Sequence, residues 1–235
     1  MKAMVINFSG NVGKSTITKY LLAPRLDDCK VYSVESINEN EHEEENIRGN
    51  ALGAILDDMM QHDNALLDVG SSNAETVVSL LAKYDGAHED FDAFVIPVIS
   101  KPKVINDSIA TANALSEMGV PTEKIIVVLN QIDIETDKSI EFAKIRNLDG
   151  VTLTYDENLA IPSHDFFARI AGTGFDLLEV LNDETDYTKL VKETAKDSPE
   201  LGDYVLRRAL KRLATNLDKS FSEIYELFQK KVGTE

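Results

Sequence analysis

Residues 4–22 read MVINFSGNVGKSTITKYLL, and the reading of this stretch decides the fold. Its second half, Gly13-Lys14-Ser15-Thr16, looks like the phosphate-gripping end of a glycine-rich loop. The common pattern asks for Gly, four arbitrary residues, then Gly-Lys-Ser/Thr. Counting back five from Gly13 lands on Phe8, so that pattern fails. The surroundings still fit. Ala3–Phe8 is an apolar strand, Ser9–Gly13 a turn of small residues, and Lys14–Leu22 opens a helix. Strand, loop and helix in this order are the context a phosphate loop requires. Backbone N–H groups around Gly10, Asn11, Val12 and Gly13 would cradle phosphate oxygens. The helix start adds the positive end of its dipole. Lys14 would reach the β- and γ-phosphates, the Ser15 hydroxyl would help hold Mg²⁺, and Thr16 would lie near the α-phosphate.

Working outward, short apolar runs alternate with longer helical patterns. The strands predicted are Ala3–Phe8, Lys30–Val34, Ala65–Val69, Ala93–Ile99, Ile125–Leu129 and Val151–Thr154. Most are near-continuous runs of Val, Ile and Leu, the pattern of strands buried on both faces. Helical patterns cover Lys14–Leu22, Asn50–Gln61, Ala74–Lys83, Val104–Met118 and Asp137–Arg146. This order predicts an α/β fold: one doubly wound, mostly parallel sheet with helices on both faces. After about Gly172 strand signals stop. From Pro199 onward Leu206, Leu210, Leu213, Leu217, Phe221, Ile224 and Phe228 recur three or four apart, which predicts a helix with one apolar stripe. The stripe is either laid on the domain core or offered to a partner helix. The expected organisation is a nucleotide-binding domain over 1–175, with C-terminal helices over 176–235 packed on it.

Composition limits the alternatives. The chain of 235 residues suits one large α/β domain. Its 24 basic and 41 acidic residues leave a formal charge of -17, which argues against a surface built wholly for nucleic acid. The single Cys29 permits no intrachain disulfide and suits a cytoplasmic location. No run approaches the ~18 apolar residues of a membrane span, and the first residues do not read as a signal peptide. His42, His62, His88 and His164 lack metal-ligand spacing.

Two further stretches join the loop. ALLDVGSSN, residues 65–73, ends a strand on Asp68, which can hold Mg²⁺ through a water; Gly70 can bring its N–H to the γ-phosphate. The alternative is an Asp that caps the next helix, with Ser71, Ser72 and Asn73 also available as caps. KIIVVLNQID, residues 124–133, ends a strand on Asn130, whose amide can both donate to and accept from a purine edge. Phe8, Asp68, Asn130 and Ile161 all fall at or next to predicted strand ends, where open α/β sheets bind their ligands.

The loop resembles the variant phosphate loop of the ParA/MinD group of ATPases, Lys-Gly-Gly-x-Gly-Lys-Thr/Ser. Ser9-Gly10-Asn11-Val12-Gly13-Lys14-Ser15 matches at Gly10, Gly13, Lys14 and Ser15. Ser9 stands where that group carries its signature lysine, and Asn11 where it carries a second glycine. With the following LLAPRL, the stretch is most similar to the plasmid-stability and conjugation StbB branch. The resemblance implies a phosphate-loop NTPase fold and a nucleotide switch that binds ATP and Mg²⁺. It also implies hydrolysis that resets the switch, a nucleotide-linked homodimer, and a role in plasmid partition or stability through a DNA-binding adaptor; the departure at Ser9 adds the expectation that hydrolysis is weak. It places Ile161 and Pro162 at the base pocket. It also implies an Asp-x-Asp pair after the second strand, where this chain has Glu35 and Ile37. Asn38 or Glu39 would serve if the loop is shifted, and the acidic run Glu39–Glu45 reads as a solvated loop.

Other readings stay open. Asn130-Gln131-Ile132-Asp133 is similar to the guanine motif of GTPases, with Asp133 accepting from guanine, so the base is ATP's or GTP's. Ser9 and Ile37 leave room for a nucleotide-binding interaction module with little hydrolysis. Lys101 and Lys103, past the fourth strand, are candidate substitutes for the missing lysine. Arg207, Arg208, Lys211 and Arg212 form a basic band, either a weak nonspecific DNA contact or a solvated face.

Overall fold

The computed structural model describes residues 1–34, 44–148, 150–151 and 153–233, with only the backbone of 44–50. The expectations for Glu35, Ile37, Asn38 and Glu39 lie outside the described residues, as does most of Glu39–Glu45.

Among the described residues, six strands form one sheet: β1 (Lys2–Val5), β2 (Lys30–Val34), β3 (Ala65–Val69), β4 (Ala93–Val98), β5 (Ile125–Ile132) and β6 (Ala160–Pro162). The order is β2-β3-β1-β4-β5-β6 and every pairing is parallel. β3 and β4 are buried at every residue, as strands covered on both faces must be. β2 is an edge strand, and Lys30, Val31 and Ser33 are exposed on it. The alternating order of strand and helix is therefore realised as expected.

The helices follow their caps and breakers. α1 (Lys14–Thr16) starts at Gly13 and passes into a π-type stretch, Ile17–Leu22, where the Ala23 N–H reaches back to the Thr18 carbonyl. Pro24 ends it in a tight turn. α2 (Glu44–Met59), α3 (Ala74–Leu81) and α4 (Pro102–Glu117) follow, the last with Pro102 in its first turn. The pattern over 137–146 forms two short helices, α5 (Lys138–Glu141) and α6 (Ala143–Arg146), because Phe142 leaves helical geometry between them. Phe142 is fully buried, so core packing outweighs helix continuity there.

One strand expectation is corrected. Of the described residues in 151–154, only Thr154 pairs with the sheet, through one bridge to Ile126. The last strand is Ala160–Pro162, beyond a turn in which the Asn158 N–H donates to Asp156 Oδ1. Leu159 and Ile161 are buried, whereas Val151 and Leu153 are half-buried, so the deeper apolar pair takes the sheet edge.

The remaining helices are α7 (Asp165–Ile170), α8 (Leu177–Asn182), α9 (Tyr187–Glu193) and α10 (Leu201–Val232). The chain divides into two compact units, 1–162 with 224–235, and 163–223. In the first, Tyr225 and Phe228 stack at 6.3 Å, and Lys231 pairs with Asp156 at 2.8 Å. In the second, Lys211 Nζ donates to the carbonyls of Leu181 and Asp183 at 2.6 and 2.8 Å, closing the C-terminal end of α8. Lys211→Met strips that cation from two carbonyls at a helix end, where it is favourable. We expect a loss of about 1–2 kcal/mol, read as faster amide exchange across Leu177–Asn182. Arg212→Gln, at an exposed position, leaves that exchange unchanged.

Candidate functional site

The chain leaves β1 toward β2 on one side of the sheet and leaves β4 toward β5 on the other. The loops after β1 and β4 therefore part at the carboxyl edge, where such sheets bind ligands. The loop Phe8–Gly13 sits at this parting. Asn11 and Gly13 are both left-handed, at φ 56° and 86°. Asn tolerates that region better than other non-glycine residues, which explains how it stands in for a glycine at position 11. The Val12 side chain is fully buried in the core and pins the loop apex.

A cleft of about 280 Å³ opens beside the loop, lined by Asn11 through Thr16 and by Asp68, Gly70 and Ser71. Register places Asp68 beside Val5, at the end of β1. Ser15 is exposed to the cleft and Asp68 is buried in its wall, so a hydroxyl and a carboxylate share one space. Among the described residues, no group of three or more His, Cys, Asp or Glu is placed to hold a metal. The pair still suits Mg²⁺, which takes one or two protein oxygens and fills its octahedron with phosphate and water.

Lys14 is buried, and its Nζ donates to the Ser9 carbonyl at 2.9 Å and the Asn7 carbonyl at 3.2 Å. Burial pushes its pKa below the usual lysine value, and the Asp68 carboxylate pulls it partly back. A cation held against carbonyl dipoles at a loop mouth is poised for an anion.

Two residues reach the loop from far along the chain. Asn130 is buried, and its Nδ2 donates to the Val12 carbonyl at 2.8 Å. It packs so closely under the loop that a methyl group at Gly13 would lie 2.0 Å from that nitrogen. One amide proton expected at a purine edge is thus engaged with the loop. Ser9 is also buried, and its Oγ donates to Asp107 Oδ2 on α4 at 2.9 Å. Lys103 pairs with that same carboxylate oxygen at 3.3 Å, while Lys101 is the exposed residue that caps α4.

The other expected residues are distributed as follows. Gln131 adopts φ 53° within a register shift between β5 and β6, which brings Asn130–Asp133 alongside Ile161 and Pro162. The Asp133 side chain is exposed; Ile161 is buried, so only its backbone is offered there. The Gly70 N–H donates to the Val34 carbonyl at 3.0 Å, which directs it to β2 and not to the cleft. Ser71 lies in the cleft, its Oγ 3.2 Å from where a Cβ on Gly10 would sit. From the sequence, Ser71 is only a candidate helix cap. Asn7, buried and hydrogen-bonded, carries no sequence signal, because it belongs to no recognisable spacing. Asn73, a candidate cap from the sequence, sits at the N-cap position of α3, but its Nδ2 donates to the Val34 carbonyl at 3.1 Å. Of the basic band, Arg207 is held by Asp203 and lies over the Phe175 ring, Lys211 caps α8, and Arg208 is half-buried. Arg212 is the exposed member.

No family model matches the chain, and no curated protein sequence does. Solved structures do match. Apo McdA from Cyanothece aligns at TM-score 0.52 and 13% identity, covering 96% of this chain and 98% of that one. A Cyanothece McdA–ATP complex aligns at 0.50 and 13%, covering 99% and 96%. A chain of the MinC:MinD cell division protein complex from Aquifex aeolicus aligns at 0.52 and 12%, covering 97% and 95%. Likeness at such low identity is a likeness of fold. The six-stranded parallel sheet with its long C-terminal helix is the phosphate-loop NTPase fold of McdA and MinD.

Proposed function

We propose that this chain is a ParA/MinD-like nucleotide switch that binds ATP with Mg²⁺ and hydrolyses it slowly. The observation that carries the reading is one cleft in which a left-handed glycine loop, the Lys14 ammonium, the Ser15 hydroxyl and the Asp68 carboxylate converge. When bound, Mg²⁺ would supply positive charge that offsets that of the phosphates. Ser15 and Asp68 would hold it, the second through water. Backbone N–H groups of residues 10–13 would grip the phosphates, and Lys14 would turn from the Asn7 and Ser9 carbonyls to the β- and γ-phosphates.

Slow turnover follows from Ser9. A cationic group that stabilises transferred charge can be worth ~10³–10⁵ in rate. Ser9 supplies a hydroxyl already engaged with Asp107, so binding is expected to survive where rate does not. The same observation favours a second reading, an interaction module that binds nucleotide and barely hydrolyses it. In either case the chain would work in the cytoplasm as a nucleotide-linked homodimer with a DNA-binding adaptor, in plasmid partition, stability or conjugation of the StbB kind. A direct DNA contact has little support, since Arg207 and Lys211 are engaged within their own unit.

Calorimetry with ATP, ADP, GTP and GDP plus Mg²⁺, beside light scattering and single-turnover hydrolysis, tests this. We expect ATP to bind and to shift the mass toward a dimer, with turnover far slower than an ordinary ATPase. Preference for GTP would move the reading to Asp133 and a GTPase; rapid partner-free hydrolysis would remove the slow-switch reading. Absence of any nucleotide binding would overturn the whole assignment.

A further inference from the structure

One face of α4 holds the start of the phosphate loop at three consecutive residues. Asn7 Nδ2 donates to Ser108 Oγ at 2.7 Å and to the Pro97 carbonyl at 2.8 Å. The Phe8 N–H donates to Thr111 Oγ1 at 3.0 Å. Ser9 Oγ donates to Asp107 Oδ2 at 2.9 Å, and the Ser9 N–H donates back to Asn7 Oδ1 at 2.7 Å. Asn7, Ser9, Ser108 and Thr111 are all buried. Side chains three and four apart on a helix share a face, and Thr111 stands at those spacings from Ser108 and Asp107, so a single rotation of α4 sets all three contacts.

The carbonyls carried by this segment, Asn7 and Ser9, are the ones that hold the Lys14 ammonium. Ser9 therefore faces two ways. Its backbone oxygen holds the phosphate-gripping lysine, and its hydroxyl is held by α4. A charged acceptor makes that second bond stronger than a neutral one would. The Asp107 carboxylate would also oppose an incoming polyphosphate, and Lys103 offsets it: the lysine is 86% exposed and the carboxylate 28%. The pair places a neutralised acceptor behind the loop.

We propose that Asp107 is a positioning residue for the phosphate loop, acting through Ser9 on Lys14. The role rests on the nucleotide-binding reading above. It assigns a purpose to the Ser9 hydroxyl: a hinge pin between α4 and the loop, so that a partner pressing on α4 near Lys103 would change the grip on phosphate.

The test compares wild type with Ser9→Ala, Asp107→Ala, their double variant, and Asp107→Asn, whose carboxamide oxygen still accepts from Ser9. The first readout, without nucleotide, is amide exchange at residues 9–14. The second is MgATP affinity by calorimetry. Each single alanine variant is expected to speed loop exchange and to weaken MgATP ~10-fold, the worth of one hydrogen bond to a charged group. The double variant is expected to be no worse than either single one, since both break one link. Asp107→Asn is expected to recover most of the loss. Unchanged loop exchange in Asp107→Ala, or additive losses in the double variant, overturns the proposal. If Asp107→Ala does not fold, unchanged loop exchange in Ser9→Ala overturns it equally, and so does an Asp107→Asn protein whose loop exchanges faster than that of Ser9→Ala. If wild type binds no MgATP while loop exchange still responds, the nucleotide reading fails and the positioning of the loop by Asp107 stands.

Discussion

Gly13→Ala is expected to abolish nucleotide binding and to cost the ligand-free protein about 2–5 kcal/mol. Two independent penalties add. At φ 86° an L-residue meets its own carbonyl, which costs roughly 1–2 kcal/mol. The new methyl would also stand 2.0 Å from Asn130 Nδ2 and 3.3 Å from its Cγ. Asn130 would have to leave, and the buried Val12 carbonyl would lose its donor, at about 1–3 kcal/mol. For a chain of this size each kcal/mol lowers Tm by about 2–4 °C, so a fall of roughly 4–20 °C is expected in a thermal melt. Adding Asn130→Ala to Gly13→Ala should cost less than the two single losses summed, because both remove the same donor from the Val12 carbonyl. If Gly13→Ala melts like wild type, the loop does not have the geometry described.

Lys14→Met is expected to behave oppositely: nucleotide binding falls at least about 100-fold, or roughly 2.7 kcal/mol, while stability moves far less. The binding loss follows from removing the cation proposed to meet the β- and γ-phosphates. The small stability change follows from the site. The ammonium is buried, so its desolvation opposes what its bonds to Asn7 and Ser9 contribute. Because its folded pKa lies below the unfolded value of 10.5, the unfolded chain holds that proton more tightly. Stability should therefore rise with pH through the interval below 10.5, and Lys14→Met should flatten that rise. Calorimetry with MgATP and urea melts at two alkaline pH values measure both effects. Undiminished ATP affinity in Lys14→Met would sink the phosphate-loop reading.

Much of the fold was legible because its signals are local. A run of Val, Ile and Leu between turn residues reads as a buried strand, and most of the six strands could be read this way, the exposed edge strand β2 being the exception among the five anticipated. The last could not. Val151–Thr154 and Ala160–Pro162 are both short and apolar, and only the partner strand β5 chooses between them. The break at Phe142 was hidden for a similar reason, since a helical pattern does not reveal that one ring will be drawn into the core.

The candidate site divides along the same line. Gly13-Lys14-Ser15 after an apolar strand was readable as a candidate phosphate loop, because such a loop is built from consecutive backbone groups and needs no distant residue to be recognised. The partners of that loop were not. Asp107 lies 98 residues from Ser9, and Asn130 lies 118 from Val12. No spacing rule reports which polar side chains a sheet will bring together. Asn130 was expected at the base and is engaged with the loop; Gly70 was expected to turn its N–H to phosphate and turns it to Val34. By itself, then, the amino-acid sequence determined the parallel sheet and the strand–loop–helix order at its start, and proposed the residues that would grip phosphate, all from neighbours along the chain. The tertiary structure alone decided what holds that loop in place. Asp107, Ser108, Thr111 and Asn130 reach it across the fold, and buried polar groups take whichever partners the packing supplies.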